Sequence, residues 1–179
     1  MKKQLLLTSL GLLLTASLAH AQLGTTTGTT TVSVAVAAEA ALTAITGTST
    51  LTAAGTNFST YTGTTNLTYF IRTTPTTGTG SIVLKVTTDF APTGGPSVGT
   101  PPTAGDALTY SCTVSSPGTA CTGPLTAKTT ATTSVATFTA DNHSTITGNS
   151  ASVSWSLTND PVYKVGTYTA TVTFTISAA

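Results

Sequence analysis

The stretch Val165–Ile176, read V-G-T-Y-T-A-T-V-T-F-T-I, commits the chain to a β fold. Tyr168, Ala170, Val172, Phe174 and Ile176 share one parity, and Thr167, Thr169, Thr171, Thr173 and Thr175 share the other. Side chains alternate faces along a strand, so the pattern predicts a half-buried strand with apolar groups inward and hydroxyls outward. Threonine suits the outer face because its branched Cβ fits the pleat while its hydroxyl stays hydrated. One strand is not stable alone, so the rest of the chain must supply its sheet and a facing layer.

The chain opens differently. Met1-Lys2-Lys3-Gln4 is a short basic start, followed by an apolar run from Leu5 to Leu18 and then Ala19-His20-Ala21. A basic start, a short apolar run and a small-x-small site in that order predict a secretory signal peptide over residues 1–21, cleaved between Ala21 and Gln22. The alternative for the same residues is an uncleaved anchor, although the run is short for a membrane span. No cysteine follows the cleavage site to carry a lipid. The expected destination is the periplasm, the cell surface or the medium. No later stretch is long and apolar enough for a transmembrane helix in the mature chain.

Removal of Lys2 and Lys3 with that peptide turns a balance of six basic against five acidic side chains into four against five. So few cations do not build a phosphate-binding surface, which argues against nucleic acid as a partner. Charged residues are 6% of the chain, against about 25% in ordinary soluble domains. With 39% hydrophobic residues, the chain still has the material for a core that disordered segments lack. Its length suits one domain rather than two.

After a Thr/Gly-rich tail over residues 22–31, Val32, Val34 and Val36 alternate with Thr31, Ser33 and Ala35. They predict either a first strand or a donor strand. Further strand signals fall at 37–44, 49–53, 58–61, 67–71, 81–88, 107–115, 134–140 and 153–157. Ala91–Gly105, with four prolines and four glycines, is the one long break. Many short strands, turn signals and no amphipathic helix predict an all-β, antiparallel immunoglobulin-like β-sandwich over residues 32–179. A membrane barrel, the competing closure, calls for aromatic girdles that a chain with 6% aromatic residues lacks.

Cys112 and Cys121 are the only cysteines. In an exported chain a close pair predicts a disulfide, and Pro117-Gly118 between them predicts a clamped hairpin or loop. A redox or metal role calls for C-x-x-C spacing or further ligands, which the sequence does not offer.

Catalytic patterns are thin. His143 is the one histidine outside the signal segment, and no G-x-S-x-G is present. Glu39, Asp89, Asp106, Asp141 and Asp160 are scattered, spaced neither as an acid/base pair nor as an EF-hand loop. The expectation is no catalytic residue, no metal and no cofactor. Trp155 has two readings. It is either a platform for stacking a glycan, next to the loop Ala91–Gly105, or a core residue, as its parity with Val153 and Leu157 favours.

The final strand, with Gly166, Tyr168, Val172 and Phe174, and the alternating valines behind a flexible tail together resemble secreted bacterial fimbrial and spore-coat-U-like domains. The resemblance implies assembly by β-augmentation, in which an N-terminal strand completes a neighbouring sandwich. Cysteines in those domains bond near the first strand, whereas Cys112 and Cys121 sit mid-chain. The resulting expectation is a non-catalytic structural or adhesive surface subunit that associates with itself or another surface subunit. The second is a secreted module that binds carbohydrate or protein.

Overall fold

A computed structural model describes residues 28–44 and 46–179. The expected signal peptide and its Ala21–Gln22 junction lie outside the described residues. The chain divides into a unit ending at Val34 and a compact unit, Ala35–Ala179. The described residues of the first unit, 28–34, carry no regular secondary structure.

The compact unit is an antiparallel β-sandwich. Its strands are β1 (Glu39–Ala44), β2 (Thr52–Ala53), β3 (Tyr61–Arg72), β4 (Gly80–Ala91) and β5 (Leu108–Val114), followed by β6 (Thr119–Ala120), β7 (Leu125–Thr126), β8 (Thr133–Phe138), β9 (Asn149–Leu157) and β10 (Thr169–Ala178). One sheet runs β1-β3-β9-β5-β7, with β2 also pairing β3, and the other runs β10-β4-β8-β6. From β4 onward each strand lies in the opposite sheet from its predecessor. The connections are therefore arches between layers rather than hairpins within one, and every sheet pairing they create is distant in sequence.

Alternation builds the core from both sheets. Leu67, Tyr69 and Ile71 of β3 and Val153, Trp155 and Leu157 of β9 face Ile82, Leu84 and Val86 of β4 and Val135 and Phe138 of β8. All are buried. The two fully buried tyrosines satisfy their hydroxyls on backbone: Tyr69 donates to the Ser115 carbonyl and Tyr110 to that of Ser134. A phenol inside a core needs such a partner, because an unpaired buried hydroxyl costs about 1–3 kcal/mol. The β3–β4 arch is anchored similarly. The buried Thr73 hydroxyl donates to the Thr139 carbonyl at 2.7 Å and accepts the Asn142 amide at 2.9 Å. Gly78 closes this arch because a Cβ there would collide with the Thr74 backbone.

Two expectations need correction. Val32–Val36 is not paired as a strand; among the described residues the first strand begins at Glu39. The residues alternate, but a strand exists only where another edge completes its hydrogen bonds. The weak signal at 58–61 is a loop until Tyr61, with Asn57 and Phe58 both at φ 55°. Left-handed backbone at two successive non-glycine residues is incompatible with a pleated strand.

Candidate functional site

Cys112 and Cys121 are joined, with 5.5 Å between their Cα atoms. The bond does not clamp a hairpin. Cys112 lies in β5 of one sheet, and Cys121 directly follows β6 of the other, so the bridge staples the two layers across an arch.

Trp155 belongs to the core and is not a stacking platform. It is 5% exposed. Its ring meets Tyr110 at 5.5 Å between centroids and 56° between planes, and its Nε1–H donates to Thr65 Oγ1 at 2.8 Å. Thr65 Oγ1 also shares a hydrogen bond with the Ser49 hydroxyl, so the single buried indole N–H ends in a satisfied chain.

The loop after β4 is held from within. Asp89 accepts the Ser97 hydroxyl at 2.6 Å and the amides of Val98, Gly99 and Phe90 at 2.7, 3.0 and 2.8 Å. Burial alone pushes this carboxyl up, but the Ser97 hydroxyl and the three amides together hold it below the usual aspartate value. Gly95 lies where any Cβ would enter the Tyr168 ring, which fixes the loop against the chain leading into β10. At the same end Tyr163 donates to Asp106 Oδ2 at 2.8 Å. Burial, then this hydrogen bond and the neighbouring charges, push the phenol well above its usual value.

At the other end, residues far apart in sequence come together. Glu39, Phe70, Arg72 and His143 line a shallow groove of about 430 Å³. His143 Nε2 lies 3.6 Å from Asp141, and both side chains are more than half exposed. Sequence reading missed this grouping because its members come from β1, β3 and the loop before β9. Among the described residues no three His, Cys, Asp or Glu side chains gather as metal ligands.

The outer face of the larger sheet carries rows of hydroxyls in register: Thr62–Ser156–Thr109–Thr126, then Thr64–Ser154–Ser111. The next row is Asn66–Ser152–Thr113. These three rows hold no charged residue; the charges of that sheet face, Arg72 and Glu39, sit together beyond them at the end of β3.

The edges of the sheets differ most. β6 and β7, two residues each, are edges too short to recruit another strand. β10 is ten residues long and pairs with β4 alone; among the described residues nothing pairs with its other side. It contains no charge and no proline, the usual devices that blunt an edge. Its core-facing Val172, Phe174 and Ile176 lie opposite Val86, Leu84 and Ile82. The β4 partners are at most 1% exposed, whereas the β10 residues are only half-buried. Ala40 and Leu42, on β1 at the edge of the other sheet, are also half-buried. The core is therefore covered in its middle strands and thin along its β1 and β10 margin. Val32, Val34 and Val36 are 90%, 84% and 64% exposed.

No protein-family model matches this chain, and no curated protein or solved structure is similar to it. Among the described residues no helix is long and apolar enough to cross a membrane.

Proposed function

We propose that this is an exported, non-catalytic structural or adhesive surface subunit that assembles by strand donation between copies. In this reading the valine segment Val32–Val36 of one copy pairs with the open edge of β10 in the next. The observation that carries it is the coexistence of the two halves of such a joint. One is a ten-residue uncharged edge over a partly exposed apolar row; the other is an alternating segment with its valines in solvent. An added strand would complete the β10 hydrogen bonds and cover Val172, Phe174 and Ile176, gaining both backbone pairing and apolar burial. The sparsely charged, hydroxyl-rich outer surface suits a subunit whose contacts are made by strands rather than by charge.

The test is the association state of the mature protein, exported so that Cys112 and Cys121 oxidise. Size-exclusion chromatography with light scattering and negative-stain microscopy should show multimers or filaments. They should vanish when residues 22–36 are deleted and when a charge is placed on the apolar parity by Val34→Asp. Multimers that persist unchanged in both variants would overturn the proposal.

A further inference from the structure

We infer that Arg72 is a clasp that sets where the donor segment leaves the sandwich, and so how it reaches a second copy. The inference rests on the strand-donation reading for its consequence, though not for its geometry.

Arg72 is the only arginine in the chain and the last residue of β3. It stands opposite Glu39, the first residue of β1, in the antiparallel pair. Its Nε–H donates to the Ala37 carbonyl at 2.7 Å, and its Nη2 donates to Glu39 Oε2 at 3.1 Å. One planar fork thus grips the chain two residues before β1 and at its first residue. Ladder bonds between β1 and β3 begin at Glu39, so the Ala37 contact is made upstream of any strand pairing. Among the described residues, no backbone-to-backbone hydrogen bond involves residues 35–38. The guanidinium therefore restrains a piece of chain that the sheet leaves free.

The residue type matters. Arginine offers Nε–H and Nη–H in a rigid fork, whereas lysine offers one rotating ammonium that satisfies either partner but does not hold both in a fixed plane. Clasping shortens the free part of the donor segment and narrows its exit directions, so less conformational freedom is lost when it docks. As a positioning residue, Arg72 contributes to association without forming part of the joint. The Glu39 contact is exposed and contributes little by itself, which singles out the Ala37 contact.

Two readouts test this. In the monomer at low concentration, NMR order parameters should show residues 36–38 restrained in the wild type and mobile in Arg72→Lys. Glu39→Gln, which keeps the Ala37 contact, should stay close to the wild type. At higher concentration Arg72→Lys should weaken self-association about tenfold, with its melting temperature nearly unchanged. Equal mobility of residues 36–38 in wild type and Arg72→Lys would overturn the clasp, whatever the assembly state. Loss of restraint with unchanged association would overturn its role in assembly. A wild type that stays monomeric at all concentrations would sink the strand-donation reading and with it this role, while the mobility comparison still decides the clasp.

Discussion

Replacing Trp155 by alanine should unfold or strongly destabilise the sandwich rather than remove a ligand contact. A tryptophan buries about 150–250 Å², which at ~25 cal/mol per Å² corresponds to roughly 4–6 kcal/mol. Alanine retains part of this, and large-to-small substitutions at such sites cost about 3–5 kcal/mol. Trp155 sits at the upper end because it is 5% exposed, packs on Tyr110, and lies between Val153 and Leu157 in a central strand. Domains of this size have total stabilities of about 5–15 kcal/mol, so Trp155→Ala should remove a large share. At about 4 °C per kcal/mol, the midpoint should fall by roughly 15 °C. Scanning calorimetry and urea titration of the oxidised protein measure this directly. The indole N–H is isolated by a double-mutant cycle of Trp155→Phe with Thr65→Val, which should show a coupling of about 1 kcal/mol. A Trp155→Ala variant that melts within about 2 °C of the wild type would refute the core assignment, since no buried tryptophan is so cheaply removed.

Two further outcomes follow from the loops. Replacing Cys112 and Cys121 together by alanine should cost about 2–3 kcal/mol, because the bridge closes a loop with a sequence separation of 9 and its loss frees the unfolded chain. Reduced and oxidised wild type compared by urea titration should differ by the same amount. The depressed Asp89 carboxyl contributes stability that is fully present above its unfolded pKa of about 3.9 and is lost as pH falls through its lower folded value. Asp89→Asn should therefore flatten the stability profile below about pH 4. It should also raise amide exchange at Val98 and Gly99, whose N–H groups the carboxylate accepts.

The arched topology bears on folding as well as on stability. Every pairing after β3 joins strands from separate arches, so few contacts are local and loop-closure entropy is met early. Disulfide closure between β5 and the end of β6 would shorten one of these loops.

The alternation of polar and apolar residues was enough to read the all-β sandwich, the long strands near 67–71, 81–88 and 153–157 and the inward parity of Trp155, and the close cysteine pair was enough to read the disulfide. Each depends on the two-residue period of a strand or on two cysteines close together in the chain, both local properties. The short β6 and β7 were not legible, because two-residue strands leave no period to read. The sequence also presents Val32–Val36 and Tyr168–Ile176 as equivalent strands. Only the tertiary structure separates them: β10 is paired by β4, while among the described residues the valines have no partner strand. Pairing belongs to two segments at once, and its partner cannot be found in either segment's own pattern. The same holds for Arg72, Ala37 and Glu39, and for Trp155, Thr65 and Ser49. Those contacts depend on register between strands far apart in the chain, which only the folded sheet decides.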